Sequence, residues 1–192
     1  MQTEFEATFS IESKDVIRKQ LKSIGAKMVK EEFKQTRAVF NLPTGHEIEN
    51  GWLRVRDEQD KVTMSLKVVK NNTTIANQKE IELRVNSFDD ASALLTAIGC
   101  KAKSYQENLR ERWELGDVEI TIDEWPFLDP YIEIEGSSEE QVREVAEQLG
   151  YDWKEAYFGS VDYIYAQKYG VPEDTVNNHT PEIKFDMDNP FL

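Results

Sequence analysis

Cysteine and histidine are scarce in this sequence, and their scarcity excludes several kinds of site. The single cysteine, Cys100, cannot form an internal disulfide and gives only weak support for a reducing compartment. The two histidines, His46 and His179, lie far apart without partners at ligand spacing, which argues against a zinc site. A Gly-rich phosphate loop, a Cys-x-x-Cys pair and a Ser/His/Asp order are missing as well. The sequence therefore gives no support for a disulfide framework, a zinc centre or a nucleotide-binding loop.

Long apolar runs and positive charge are also scarce. No run approaches the roughly 20 apolar residues of a membrane-spanning helix, and the start lacks a basic segment followed by an apolar one. The 23 basic residues are outnumbered by 37 acidic ones, which gives a net charge of -14. A net negative charge repels the phosphates of nucleic acids and of anionic membranes, so neither is an expected partner. A basic pocket can still lie inside an acidic surface. We therefore expect a cytoplasmic protein.

The 192 residues are enough for one large domain, which we expect over residues 1–170. Residues 171–192 are polar and acidic and contain Pro172, Pro181 and Pro190, so we expect an irregular or disordered tail there. Helices are predicted at 13–27, 88–98 and 160–169, and another helix follows a cap pair at Ser137 and Glu140 and ends at Gly150. Strands are predicted at 4–9, 28–42, 52–57, 62–69, 78–85, 105–115, 118–125 and 131–136, with a turn at Asn71-Asn72.

The predicted strands share an unusual polar face. In the opening strand Glu4 and Glu6 lie on one face, opposite Phe5, Ala7 and Phe9. Paired carboxylates repel each other unless a cation or basic side chains lie between them. The alternation recurs with basic residues on the middle strands and carboxylates on the late ones, at Arg37, Arg54, Arg56, Lys67, Arg110, Arg112, Asp123, Glu133 and Glu135.

Two kinds of structure explain this pattern. On any single strand, a run of charge is most simply a solvated face. Over six strands, the repeated Arg-x-Arg and Glu-x-Glu pairs favour a closed antiparallel barrel with a polar lumen and helices on its apolar outer face. Its basic side chains would hold a polyanion, and its carboxylates a hard divalent cation. A polyphosphate with Mg²⁺ or Mn²⁺ is the ligand that needs both sets at once.

The ordered set of motifs resembles the CYTH superfamily, which is named for class IV adenylate cyclases and thiamine triphosphatases and includes inorganic triphosphatases. The motifs are Glu-x-Glu at 4–6, Leu-Arg-x-Arg at 53–56, Ser-Leu-Lys at 65–67, Arg-x-Arg at 110–112 and Glu-Ile-Glu at 133–135. The resemblance covers residues 1–169 and implies an α+β fold, an eight-stranded antiparallel β-barrel that forms a triphosphate tunnel with helices packed outside. It implies phosphate binding by Arg37, Arg54, Arg56, Lys67, Arg110 and Arg112, with Lys67, Arg54 and Arg56 catalytic, and metal binding by Glu4, Glu6, Asp123, Glu133 and Glu135.

One residue departs from the family pattern. The opening signature of the family is Glu-x-Glu-x-Lys, and Thr8 stands in place of the lysine. Hydrolysis of an inorganic or organic triphosphate with Mg²⁺ or Mn²⁺ is the function we expect, because it needs no base-specific pocket and the sequence shows none. Two alternatives stay open: formation of cyclic AMP from ATP, and binding of polyphosphate or nucleotide without catalysis after loss of the lysine. A structural domain with solvated charged faces is a further one.

The tryptophans have separate interpretations. Trp52 shares a face with Arg54 and Arg56, so it could stack on a base or another ring at a tunnel mouth, or close the barrel end as an aromatic cap. Trp113 and Trp125 are predicted to pack in the core. The expected partner is a triphosphate-containing small molecule, and the outer helices could also pair two copies of the chain into a homodimer.

Overall fold

The computed structural model describes residues 1–70 and 73–192, so the turn predicted at Asn71-Asn72 lies outside the described residues. The strands are β1 (Gln2–Ser10), β2 (Lys27–Asn41), β3 (Gly51–Asp57), β4 (Val62–Val69), β5 (Gln78–Val85), β6 (Lys101–Leu115), β7 (Val118–Glu124), β8 (Tyr131–Gly136) and β9 (Glu182–Ile183). The α-helices are α1 (Lys14–Ser23), α2 (Phe88–Ala97), α3 (Glu139–Gln148), α4 (Val161–Tyr169) and α5 (Glu173–Asn178). Short 3₁₀ turns occur at Ile75–Asn77 and Trp153–Glu155.

Strands β1 to β8 form a closed antiparallel barrel. Their order is β2-β3-β4-β5-β1-β8-β7-β6, and β6 pairs back with β2 to complete the ring. The closing pair is the longest, since β2 and β6 have 15 residues each and their register runs from Lys27↔Glu114 to Asn41↔Lys101. Strand β6 begins earlier than the sequence indicated because its polar first residues pair with the end of β2. The predicted α+β barrel is confirmed.

The outer face of the barrel is apolar, as expected for a polar lumen. Helix α3 packs on β1, β7 and β8, α1 adds its apolar side chains to the same core, and α2 packs on β3, β4 and β6. The main core contains Ala7, Phe9, Ile120, Ile122, Ile132 and Ile134 from the strands, and Ile17, Leu21, Val142 and Val145 from the helices. Trp113 lies in this core, as predicted. Strand β5 is less covered, because its outward Ile81 and Leu83 are 44% and 53% exposed.

Serine side chains cap the helices that close the core. The hydroxyls of Ser13 and Ser87 accept hydrogen bonds from backbone N–H groups of the first turns of α1 and α2. At α3 the cap is Ser138, which accepts from the N–H of Gln141, and not the predicted Ser137. Ser137 instead donates both its N–H and its hydroxyl to the Gln141 side chain, because the helix begins one residue later. Within the described residues no helix is both long and apolar enough to cross a bilayer.

The C-terminal segment differs from the predicted irregular tail. It forms α5 and then β9, which pairs in parallel with β6 at Tyr105↔Glu182 and Gln106↔Ile183. Its apolar residues Val176, Ile183 and Phe191 are buried against Trp125 and Tyr165. They are spaced singly among polar residues, so they show neither a helical nor a strand period, and only the partner surface reveals their packing. Trp125 packs in this second core, as predicted.

Candidate functional site

The barrel encloses a cavity of about 750 Å³ whose lining combines basic and acidic side chains. Alternate side chains of each strand point into the lumen, so a face with a charge at every second position lines it. The predicted site residues in this lining are Glu4, Glu6, Arg37, Trp52, Arg54, Arg56, Lys67, Arg110, Glu133 and Glu135. Arg112 and Asp123 are not part of the lining that the described residues form.

Strand β3 supplies two arginines to one side of the cavity. Nη2 of Arg54 lies 3.1 Å from Oε1 of Glu80, and Nη2 of Arg56 lies 2.9 Å from Oε1 of Glu58. Arg56 is the direct cross-strand neighbour of Arg37 on β2. Burial, and next the charge of Arg54, lowers the pKa of Arg56. A bound anion would relieve the repulsion among these buried cations.

Arg37 is held in the lumen wall by neutral groups. Its Nη2 donates to the side-chain oxygens of Gln35 (3.1 Å) and Asn108, and its guanidinium lies 4.4 Å from the centre of the Trp125 ring. Among the described residues it makes no ion pair with a carboxylate. Burial, followed by the charge of Arg54 and other arginines, lowers its pKa to about 9. Arg37 therefore carries a positive charge that the protein does not neutralise by direct contact.

Several donors of the basic wall lack hydrogen-bond partners. The buried Nε atoms of Arg37, Arg54 and Arg56 have none among the described residues. Buried polar groups are nearly always hydrogen-bonded, and an unsatisfied donor costs about 1–3 kcal/mol. Three such donors from neighbouring positions are typical of a surface that a ligand with acceptor oxygens completes.

Lys67 joins the basic wall to the first acidic residues. Its Nζ lies 3.0 Å from Oε2 of Glu4 and 3.6 Å from Oε2 of Glu80. Burial opposes its charge, but the two carboxylates outweigh burial and raise the pKa of Lys67. Burial raises the pKa of Glu4 to about 8. At Glu80 burial acts in the same direction, but the charges of Lys67 and Arg54 and a hydrogen bond with Glu4 together outweigh it and lower the pKa. One of the two carboxyls is therefore held ionised beside the lysine, and the other readily takes up a proton.

Strands β1 and β8 form the acidic wall. Glu6 lies directly opposite Glu135 in the β1–β8 register, and Glu135 is also opposite Glu119 of β7. Burial, and next the charge of Glu6, raises the pKa of Glu133 to about 8 and that of Glu135 to about 7. The wall thus concentrates carboxylates that repel each other, and this arrangement favours a cation.

Asp123 has a different position from the one implied by a role as a metal ligand. It is fully buried, and its oxygens accept hydrogen bonds from Nε (2.8 Å) and Nη2 (2.7 Å) of Arg110, from Asn108 (2.7 Å) and from Thr121 (2.8 Å). Arg110 also donates to Glu133. These bonds use the lone pairs that a metal would need, because Asp123 lies beside Arg110 in the β6–β7 register. Its contacts show a residue that orients Arg110.

Arg112 lies two residues nearer the β6–β7 turn than Arg110, at the end of the barrel. Its Nε and Nη2 both donate to Oε2 of Glu119, the former at 3.1 Å. Glu119 itself lines the cavity. The structure therefore places Arg112 behind a cavity carboxylate, whereas the predicted phosphate contact needs a guanidinium in the lumen.

Several residues of the site were not predicted from the sequence, namely two neutral amides, a lysine near the start of β6 and a tryptophan after β7. Gln35 and Asn108 are fully buried and share the inward faces of Arg37 and Arg110. Their strand parity was a usable signal, but an amide on a polar face is typical of a solvated strand. Lys103 lines the cavity from the part of β6 that was not predicted as strand. Trp125 was expected only in the core and also supports Arg37.

The carboxylates of the acidic wall fit a divalent cation as separate oxygen donors and not as one preformed cluster. Within residues 1–70 and 73–192, no group of three or more His, Cys, Asp or Glu side chains is disposed to hold a metal ion. The five predicted ligands therefore do not form one cluster. Glu6, Glu133 and Glu135 still present hard oxygen donors, and Arg110 relieves their mutual repulsion only in part, by its contact with Glu133. This arrangement fits Mg²⁺, because the ion takes one or two carboxylates and completes its shell with water and substrate phosphates.

Thr8 lies next to the acidic wall and is closed off from the cavity. Its side chain is 5% exposed, and it faces Glu133 in the β1–β8 register. On its other side, the N–H of Thr8 donates to the carbonyl of Tyr157 (2.9 Å), and the carbonyl of Thr8 accepts from the N–H of Tyr157 (3.0 Å). The Tyr157 ring stacks on that of Tyr163 with centroids 4.3 Å apart. The backbone at Tyr157 thus pairs with Thr8, the residue that stands where the resemblance implies a lysine.

Known proteins share this architecture and part of this sequence. A protein of Methanocaldococcus jannaschii named "putative adenylate cyclase" is 25% identical over 134 residues, which cover 70% of this chain and 77% of that protein. The structure of a Vibrio parahaemolyticus protein with the same description matches with a TM-score of 0.72 at 14% identity, over 86% of this chain and 98% of the other. A Hippeastrum protein described as a "putative adenylyl cyclase" with a dominant triphosphatase activity matches with a TM-score of 0.58 at 14% identity, over 91% and 99%.

The family assignment rests on the match to a domain model. The CYTH domain model matches residues 2–163, which is most of the chain and includes all eight barrel strands and the charged lumen. Family and fold thus agree with the ordered motifs and with the closed barrel. This chain belongs to the CYTH domain family.

Proposed function

We propose that the protein is a divalent-metal-dependent triphosphatase that hydrolyses an inorganic or organic triphosphate inside the barrel. The observation that carries this proposal is the group of buried guanidinium side chains of Arg37, Arg54 and Arg56, whose Nε donors lack acceptors among the described residues. Arg54 and Arg56 pair with Glu80 and Glu58, whereas Arg37 has no carboxylate partner among the described residues. Charge-assisted bonds from several arginines suit the oxygens of a polyphosphate. The family and the Hippeastrum neighbour's description support the same chemistry.

The residues divide the work by their positions. Arg37, Arg54 and Arg56 would bind phosphate oxygens on one side of the cavity, and Arg110 would do so from β6. Lys67 would add a further cation, held in place between Glu4 and Glu80. In the reaction a water oxygen bonds to the terminal phosphorus while the bond from that phosphorus to the bridging oxygen breaks. The diphosphate part leaves with the bridging oxygen, the terminal group becomes inorganic phosphate, and the water gives up a proton to the solvent. The fixed cations stabilise the charge on the transferred group without reorganisation.

The acidic wall would hold the metal, Mg²⁺ or Mn²⁺. One or two carboxylates from Glu6, Glu133 and Glu135 are the proposed ligands, and Asp123 is not retained because its oxygens bind Arg110. When bound, the ion supplies charge neutralisation for the phosphate oxygens. The protein residues keep the carboxylates close enough that only a cation or protons relieve their repulsion.

Release of phosphate from tripolyphosphate with Mg²⁺ or Mn²⁺ tests the proposal. Arg54→Ala should lower turnover by about 10²–10³-fold, the usual effect of removing a fixed transition-state donor. Arg143→Ala is the matched control, since Arg143 lies on α3 and pairs with the exposed Glu147 outside the cavity. Full activity of Arg54→Ala, or no phosphate release from any triphosphate by the unmodified protein, would contradict the proposal.

Binding without turnover is the second candidate, and Thr8 is the observation that favours it. A neutral residue stands where the family carries a cation, and the Tyr157 segment closes the space beside it. The same arginines would then bind tripolyphosphate in calorimetry while no phosphate is released. Formation of cyclic AMP, which the names of two relatives suggest, would instead yield pyrophosphate from ATP.

A further inference from the structure

A second chamber of about 580 Å³ adjoins the tunnel. The two cavities share side chains, so the chamber opens directly onto the site that we propose for phosphate. The shared lining residues are Trp52, Lys103, Gly159, Ser160, Asp162 and Asn177. A ligand with its phosphates among the arginines could therefore extend one end into this chamber.

One wall of the chamber comes from residues that follow the part of the chain matched by the CYTH domain model. The domain model ends at residue 163, and the wall residues Glu173, Asp174, Asn177 and Asn178 belong to α5. This segment is fixed beside the tunnel mouth, because Ser104 donates to the carbonyl of Thr180 (2.9 Å) and β9 pairs with β6. The chamber is thus a feature of this chain's own C-terminal segment.

The junction of the cavities carries a buried carboxylate without a direct cationic partner. Asp162 is 6% exposed, and its two oxygens accept hydrogen bonds from Ser160 and Asn177. A carboxylate accepts about four hydrogen bonds, so Asp162 retains capacity for a ligand donor. Lys103 lines the same junction and has no ion pair or hydrogen bond among the described residues, and burial lowers its pKa. Both groups are therefore available to a ligand.

We propose that this chamber binds the organic part of an organic triphosphate, a flat ring that carries N–H donors. The Trp52 ring offers a stacking surface at the junction, and the oxygens of Asp162 and Asn177 offer acceptors beside it. Lys103 contacts the phosphate that joins the ring to the tunnel. A second inorganic anion does not suit this chamber, since Asp162, Glu173 and Asp174 line it. This inference rests on the proposed binding of triphosphate in the tunnel.

Calorimetric titration with two ligands tests the chamber separately from the tunnel. ATP and inorganic tripolyphosphate are titrated with a chelator present, so that turnover does not accompany binding. Asn177→Leu and Asp162→Asn should each weaken ATP about tenfold, which corresponds to about 1.4 kcal/mol, and should change tripolyphosphate affinity less than twofold. Asn41→Leu is the matched control, since Asn41 is exposed at the end of β2 and lines neither cavity.

The outcomes separate the two proposals. Unchanged ATP affinity in both variants, or equal weakening of ATP and tripolyphosphate, overturns the chamber assignment and leaves the tunnel intact. Failure of the unmodified protein to bind tripolyphosphate contradicts the proposed function itself. Tripolyphosphate binds only to the folded barrel, so a variant that has misfolded no longer binds tripolyphosphate. In that case the ATP affinity of the other variant tests the chamber assignment.

Discussion

Arg37 and Asn108 form the contact on which the phosphate side of the barrel depends. The guanidinium of Arg37 donates to the side-chain oxygen of Asn108, whose own amide donates to Asp123 (2.7 Å). Asp123 in turn accepts two hydrogen bonds from Arg110. One fully buried amide thus orients a cation on each side and neutralises neither, which leaves the charge of Arg37 for the ligand.

Replacing Asn108 with leucine should free Arg37 and leave polar atoms of Arg37 and Asp123 unpaired. We expect a loss of about 1–3 kcal/mol in unfolding free energy, the cost of unsatisfied buried groups, and about tenfold weaker tripolyphosphate binding. Asn108→Asp keeps the size of the side chain but should weaken tripolyphosphate binding more than Asn108→Leu does, because a carboxylate would neutralise Arg37. Chemical denaturation and calorimetry measure both effects. Tripolyphosphate affinity within twofold of the original in both variants would show that Asn108 does not position Arg37.

The roles of Asp123 and Glu135 should separate in metal binding. Asp123→Asn removes the charge that holds Arg110, so it should cost about 3–5 kcal/mol of stability, as expected when a buried pair loses one partner. Its Mn²⁺ affinity in the presence of tripolyphosphate should stay within about twofold. Glu135→Gln should weaken Mn²⁺ about tenfold with less effect on stability. Mn²⁺ titration followed by electron paramagnetic resonance makes the comparison, and the reverse order of affinities would restore Asp123 as a ligand.

The acidic wall should make the metal-free protein less stable as pH rises. The pKa values of Glu4, Glu133 and Glu135 lie near 8, 8 and 7, above the ordinary 4.5. Between pH 4.5 and these raised values, the folded state therefore binds more protons than the unfolded state. Stability from these groups is complete below about pH 4.5 and is lost as pH rises through 7 to 8. The pKa of Glu80 is lowered, so its contribution is already complete above pH 4.5 and does not change in this range.

Thermal unfolding with a chelator from pH 5.5 to pH 9 checks this direction. The melting temperature should fall across the range, and Glu133→Gln should flatten the dependence because its amide cannot titrate. A melting temperature that rises steadily with pH would show that the wall is fully ionised in the folded protein.

A lysine at position 8 distinguishes a working variant site from a degenerate one. In Thr8→Lys the ammonium would lie beside Glu133 and under the Tyr157 segment, where it would pair with that carboxylate. If Thr8 belongs to an active site, as we propose, turnover of tripolyphosphate should fall, since the proposed metal ligand is then occupied. A Thr8→Val variant controls for packing. Gain of turnover in Thr8→Lys would favour a binding protein that has lost its catalytic lysine.

The charged lumen was predictable because strand alternation is a local property. Residues such as Arg54 and Arg56 share a face whatever the register, so their common destination follows from the sequence and the resemblance. The partnership of Asp123 with Arg110 depends on the β6–β7 register, which alternation does not determine. For this reason the sequence assigned Asp123 to a metal, whereas the fold gives it to an arginine.

Two other features required the folded chain. Asn108 is neutral and looks like any polar strand residue, and its importance appears only when its bonds to Arg37 and Asp123 are present together. The C-terminal segment is polar and interrupted by prolines, so its composition predicts a tail. Its isolated apolar residues, such as Ile183, become informative only against the surface of Trp125 and Tyr165.

Phosphorus NMR of ATP incubated with the protein and Mg²⁺ tests the proposed reaction most directly, because each alternative gives different signals. We predict that ADP and inorganic phosphate accumulate and that Arg54→Ala produces neither. Cyclic AMP with pyrophosphate would identify a cyclase, and ATP and tripolyphosphate that both stay intact while they bind would identify a binding protein. Either of these results would contradict the proposal that this barrel hydrolyses triphosphates.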